Sequence, residues 1–425
     1  MKSGNSRRAG RRVPLSCRNR RRARVVGVTV GVLAAAGLVF APNTAAFDAQ
    51  AEQWYLGPMQ AEKMWKVSTG EGVKVAVIGT GVHETPSLRG QVLPGVDALV
   101  KDDLAKGSVT DTDDTTGQGT TAAELIAGTG EGGGLKGLAP GAKIVPIKVP
   151  PIKHDDIPDP NYPLATAVKA AVDSGAKIID FTIGNQYPIG TQFGDAAFDY
   201  AVKKGVLMIA GTGDSRKEGN KEQYPAAYPH VVGVAAGDKN WQVSSTSQYG
   251  DFVDLAAPGM DLPRWCDSSF QRYCSNGGGT AAAAAVASAS AALIWSAHPD
   301  WTVNQVVRAL IDTAGRTWPK ETPSKYGGYG SVRPRLVLEN GHFDPGPADV
   351  NPLAADDGET TPPSSLPASP SPTTKTPGSQ TETTGAVAKP ADDDSNALAI
   401  GVGAAAAVVV IGGAGYAVMR ARRAK

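Results

Sequence analysis

Gly72-Val73-Lys74-Val75-Ala76-Val77-Ile78-Gly79-Thr80-Gly81 is the stretch on which the fold turns. From Val73 to Ile78 only Lys74 is polar, the pattern of a strand covered on both faces rather than one with a wet side. Downstream, residues 164–174 have helical spacing and stop at Gly175, and residues 177–183 read as a strand. Residues 195–204 repeat the cycle with Gly205 as the stop, followed by strands at 206–210 and 231–236. Strand, helix and strand in succession predict an α/β domain with a mainly parallel sheet and helices on both faces. An Ala-rich apolar helix is expected over 280–297, after Gly277-Gly278-Gly279, and an amphipathic one over 302–313.

The glycines after the first strand also invite a dinucleotide-binding reading, in which a pyrophosphate approaches a helix N-terminus. Glu84 stands where the third glycine belongs, and Pro86 interrupts the helix that should follow. A second match, Gly128, Gly130 and Gly133, follows a helix instead of a strand and reads as a loop. No nucleotide cofactor is expected.

The 425 residues carry 42 Lys and Arg against 41 Asp and Glu, but the charges are segregated. Ten basic residues precede position 25 and four close the chain, which leaves 28 basic against 41 acidic residues between them, a net of −13. An acidic body of this kind excludes a nucleic-acid-binding role. The Arg-rich start, the uncharged run 25–41 and the small residues Thr44, Ala45 and Ala46 predict a secretory signal over 1–46. Residues 396–419 are uncharged, follow Asp392-Asp393-Asp394 and precede a basic tail at 420–425, which predicts a single membrane span with a cytoplasmic C-terminus. Between them, 47–343 is the expected folded body outside the cell membrane, and 344–395 a Pro/Thr/Ser/Asp-rich stalk that cannot bury a core. Cys266 and Cys274, eight apart in an oxidising compartment, are expected to form a disulfide.

Further motifs carry a resemblance. Gly72 to Gly81 resembles the strand of subtilisin-like serine peptidases that reads Gly-x-x-Val-Ala-Val-Ile-Asp-Thr-Gly. Gly117-Gln118-Gly119-Thr120 is similar to their Gly-His-Gly-Thr segment, and Leu138-Ala139-Pro140-Gly141-Ala142 to the next motif. Ala210-Gly211-Thr212 resembles Ala-Gly-Asn, Ala257-Pro258-Gly259 is matched intact, and Gly279-Thr280-Ala281 resembles Gly-Thr-Ser. Within that family the chain is most similar to the mycosins of type VII secretion. They share an export signal, a Gln-Trp and a Trp-Lys pair (here Gln53-Trp54 and Trp65-Lys66), a Pro-rich stalk and a C-terminal membrane helix. The resemblance implies partners among type VII secretion membrane components.

It also implies a triad and an oxyanion donor that this chain does not carry. The aspartate, histidine, serine and asparagine positions are Gly79, Gln118, Ala281 and Thr212. Gln118 hydrogen-bonds but has no group that cycles a proton near neutral pH, and Ala281 has no nucleophile. Loss of a triad costs roughly a millionfold in rate. The nearby candidates for substitution are few: Glu124 follows Gln118 on one predicted helix, and Ser288 and Ser290 lie about 10–13 Å along the helix from Ala281. Ser275 precedes that helix without an evident base, and His83 reads as a solvated loop residue. The other histidines have no ligand-like spacing, so no metal is expected. Peptide binding by strand addition needs only backbone groups, and Thr182, Ile183 and Gly184 occupy the segment that lines such a cleft in relatives. Pro150 and Pro151 remove two donors from the other candidate edge. The expectation is a membrane-tethered pseudopeptidase that acts as scaffold or peptide-binding component; residual hydrolase activity and a stalked surface module are the alternatives.

Overall fold

The structure, a computed structural model, describes residues 47–98, 112–149, 162–186 and 192–354. The expected signal, membrane span, cytoplasmic tail and most of the stalk lie outside these residues, as do Pro150 and Pro151.

Seven parallel strands form the central sheet: β1 (Lys74–Gly79), β2 (Val96–Asp97), β3 (Lys143–Lys148), β4 (Ile178–Phe181), β5 (Leu207–Gly211), β6 (Val231–Gly237) and β7 (Leu255–Pro258). Their order is β2-β3-β1-β4-β5-β6-β7. Strand β1 pairs with β3 from Lys74↔Lys143 to Gly79↔Lys148 and with β4 from Val75↔Ile178 to Ile78↔Phe181. Its apolar run is continuous because both faces are covered. Val75 and Val77 join one core cluster while Ala76 and Ile78 join the other.

The face of Ala76 and Ile78 packs on α3 (Tyr162–Asp173) and α4 (Gln192–Lys203). The opposite face holds α2 (Gln118–Ala127), α5 (Thr280–Ala297) and α6 (Val303–Thr313), with the short α1 (Ala61–Met64) and α7 (Arg335–Leu338) beyond them. Helix α5 is nearly all small and apolar, so it lies close against the sheet. A Cβ on Gly211 would come within 2.5 Å of the Thr280 backbone. Among the described residues α5 is the one helix long and apolar enough to cross a membrane, and here it is a buried core helix. Helix α6 begins at a reciprocal cap: Thr302 Oγ1 accepts from Gln305 N, and the Gln305 side chain accepts from Thr302 N.

The edge of β7 is closed, since Ala256 N donates to Gly330 O and Val332 N to Ala256 O, each at 2.9 Å. An antiparallel ribbon, β8 (Met260–Trp265) with β9 (Tyr273–Gly278), leads into α5 and is joined at its tip by a Cys266–Cys274 disulfide. The N-terminal arm is tied down by the residues singled out above. Gln53 exchanges two hydrogen bonds with the Lys136 backbone, Trp54 Nε1 donates to Met260 O, and Trp65 Nε1 donates to Leu138 O.

Two sequence boundaries shift. The strand expected over 177–183 ends at Phe181, so Thr182 and Ile183 fall beyond it. The body expected to close at 343 runs on to Ala354. Leu353 and Ala354 are buried, Gln305 Nε2 donates to Gly346 O, and an Arg308 guanidinium N–H donates to Val350 O.

Candidate active site

In an open parallel sheet the chain reverses its winding beside the first strand, and the carboxyl ends of the strands there leave a crevice. Here the crevice lies between β1 and β4. It is met by Gly79 at the end of β1, Thr182 just past β4, Gln118 opening α2 and Ala281 in the first turn of α5. Gln118, Gly117, Trp265 and Ala281 line a cavity of about 310 Å³.

The position of the expected aspartate is physically taken. A Cβ built on Gly79 would stand 2.0 Å from Thr182 Oγ1. That hydroxyl donates to Ile78 O at 3.2 Å, and Thr182 N donates to the same carbonyl at 3.0 Å. Gln118 Nε2 in turn donates to Thr182 O at 3.0 Å. A hydrogen-bonded chain, Gln118 to Thr182 to β1, thus stands where an acid–base chain would run, and none of its members titrates near neutral pH.

The segment 182–184 is also partly engaged as an edge. Its carbonyl at Thr182 accepts from Gln118. One residue further Asn185 and Tyr224 exchange backbone bonds of 2.9 and 2.7 Å, and Gly184 faces Gln223.

Thr212 is wholly buried at the end of β5, with its hydroxyl donating to Val234 O at 3.4 Å. Two residues on, Asp214 reaches the N-terminus of α5. Both its oxygens accept from Thr280 N at 3.1 Å, and Oδ2 also accepts from Thr280 Oγ1 at 3.1 Å. Burial pushes the Asp214 carboxyl up, against the pull of the Thr280 bonds. An internal carboxyl group therefore occupies the positive end of the helix that carries Ala281. Asp214 and Thr280 are 66 residues apart, and nothing local in the sequence announced the contact.

The substitutes named above are dispersed. Glu124 is fully buried and accepts from Thr85 Oγ1 (2.6 Å), Trp265 Nε1 (3.1 Å) and Tyr273 OH (2.7 Å). Burial pushes its carboxyl up to about 7, the three donors pulling the other way. It is a tie between α2 and the β8–β9 ribbon. Ser288 donates to buried Asp180 at 2.8 Å and Ser290 to Val286 O at 2.8 Å. Ser275 is an exposed residue of β9 rather than of a loop. His83 is not simply solvated: Nδ1 is 2.7 Å from Asp113 Oδ1, and its ring stacks on Phe270 at 4.2 Å. Among the described residues no three His, Cys, Asp or Glu converge as metal ligands.

A seven-stranded parallel sheet with a buried helix running back from its crevice, and a cleft at the carboxyl ends of its strands, defines a subtilisin-like α/β protein. The peptidase S8 model, the subtilase family, matches residues 70–331, and the chain belongs to that family. Fervidolysin of Fervidobacterium pennivorans is 31% identical over 304 residues, 65% of this chain and 42% of its own length, so the chain spans less than half of that relative. Structural neighbours are mycosins of type VII secretion. The crystal structure of MycP1 from Mycobacterium smegmatis matches with a TM-score of 0.59 at 25% identity, covering 73% of this chain and 89% of that one. MycP3 protease, from the type VII (ESX-3) secretion system, matches at 0.57 and 27% identity, covering 69% and 90%.

Proposed function

We propose that this chain is a catalytically inactive, mycosin-like subtilase held outside the cell membrane by its C-terminal helix, serving as a scaffold for type VII secretion membrane components. The observation that carries this reading is the filled aspartate position: Thr182 Oγ1 lies where a Gly79 side chain would begin. Positions 118 and 281 supply neither base nor nucleophile, and Asp214 places a carboxylate at the helix end. The backbone of the cleft persists around these changes, which favours retained binding over retained chemistry. Scaffolding is preferred to peptide capture in the cleft because the Thr182 carbonyl already has a donor.

A fluorophosphonate probe tests the chemistry. The full-length protein is expected to remain unlabelled under conditions that label an active subtilase completely. Labelling that disappears in Ser275→Ala would overturn the reading. Anchoring is tested by carbonate washing of membranes, which should leave the protein in the pellet, and the partner class by detergent co-purification with secretion-channel proteins.

A further inference from the structure

A cavity of about 660 Å³ shares no lining residue with the cleft of Gln118 and Ala281. Four arginines line it, Arg216, Arg316, Arg333 and Arg335, and no Asp or Glu does. On a body, 47–343, in which 32 acidic residues outnumber 26 basic ones, this is a local reversal of sign.

Structure alone accounts for part of it. Arg316 donates to Ile311 O, Ala314 O and Tyr329 O, and Arg333 to Thr313 O and Ala314 O, so both satisfy carbonyls at the C-terminal end of α6. Arg335 pairs with Glu339 at 2.5 Å. Arg216 has no such explanation. Among the described residues its guanidinium meets no carboxylate, and it lies 4.9 Å from the ring centroids of both Tyr249 and Tyr326. Two aromatic faces hold the planar fork in place while leaving its N–H edge unused, the preorganised state for a bidentate carboxylate. Burial, with the charges of Arg316 and Arg335 beside it, pushes the Arg333 guanidinium down.

The apolar part of the recognition is also exposed. Trp241 and Tyr326 line the same cavity and are, among the described residues, two of the few large apolar side chains left open to solvent. Trp241 is propped edge-on by Trp54 of the N-terminal arm at 5.9 Å, so its outer face is presented rather than folded in.

We propose that the cavity beside Arg216 and Trp241 is a second binding site, separate from the peptidase cleft, for an acidic peptide segment that carries an aromatic or other large apolar side chain. The carboxylates would pair with Arg216, the neighbouring guanidiniums adding positive charge around them, and the apolar side chain would lie on Trp241 and Tyr326. A volume of about 660 Å³ suits a few residues of an extended chain.

Fluorescence anisotropy of the full-length protein in detergent tests this with a labelled hexapeptide of five acidic residues and one tryptophan, beside its Asn/Gln counterpart. The acidic peptide is expected to bind at least tenfold more tightly, and severalfold more weakly in 500 mM than in 50 mM NaCl. Arg216→Gln should weaken it at least tenfold with an unchanged melting temperature. Trp241→Ala, at an exposed position, should weaken it threefold or more and serves if Arg216→Gln does not fold. Equal binding of the two peptides, or none, would overturn the proposal. So would loss of binding in Gln118→Ala with retention in Arg216→Gln, which would place the peptide in the cleft. Full competition by inorganic phosphate at a concentration equal to the peptide's would reduce the site to one for a simple anion and overturn it as well.

Discussion

An aspartate introduced at residue 79 would begin its side chain 2.0 Å from Thr182 Oγ1. Overpacking of this kind costs about 1–3 kcal/mol, so Gly79→Asp is expected to lower stability by that amount in chemical denaturation, and Thr182→Ala to restore most of it. If Gly79→Asp proves neutral on its own, Thr182 does not fill the position. Asp180 makes a second residue-scale case. It is fully buried in β4, with Oδ1 accepting from Ser288 and, among the described residues, no partner for Oδ2. Burial pushes its carboxyl up to about 7 from 3.8, the Ser288 bond opposing. The unfolded chain therefore releases this proton near pH 4 and the folded chain near pH 7. Between those values the unfolded state binds fewer protons, so stability falls as pH rises and levels off above 7. Asp180→Asn should remove that slope and stabilise the protein at pH 8 by on the order of 4 kcal/mol, with little effect below pH 4. Denaturant melts at pH 4, 6 and 8 decide it. The vacancies at Gly79, Gln118, Ala281 and Thr212 were legible because each stands inside a motif whose neighbours are intact. The occupants were not, since Thr182 and Asp214 act across 103 and 66 residues of chain.

At the scale of elements, the sequence is clearest where one physical demand dominates. Strand β1 is apolar because helices cover both faces, and α5 is Ala-rich because it must lie close to four strands. The β8–β9 ribbon escapes such reading: Tyr273–Gly278 is mostly polar or glycine, with no alternation, and its register is irregular. Its order comes from elsewhere. Trp265 stacks on Tyr273 at 3.9 Å, both donate to Glu124, and the disulfide closes the tip. Closing a loop this short stabilises by about 2–3 kcal/mol. The Cys266→Ser, Cys274→Ser pair is therefore expected to lower stability by that much in denaturant titration, and an unchanged midpoint would show the aromatic and Glu124 contacts suffice alone.

For the whole molecule, composition marked a change near residue 344, and the structure carries the body to Ala354. Proline-rich, polar sequence conceals the boundary because the chain is held there by backbone carbonyls, at Gly346, Ala348 and Val350, which accept from α6 and its cap. Only Leu353 and Ala354 then add buried apolar surface. Ending the chain at residue 343 instead of 354 should cost about 2–4 kcal/mol from the lost Leu353 burial and hydrogen bonds, seen as a melting temperature lower by several degrees.

The threonine wedged against β1 has a last consequence, for the routes that mutation can take. A serine at 281 would find no base, a histidine at 118 would release the Thr182 carbonyl without gaining an acid to orient it, and an aspartate at 79 would collide before either could help it. None of these substitutions assembles a triad by itself, because the Thr182 contacts tie position 79 to position 118 and the two would have to change together.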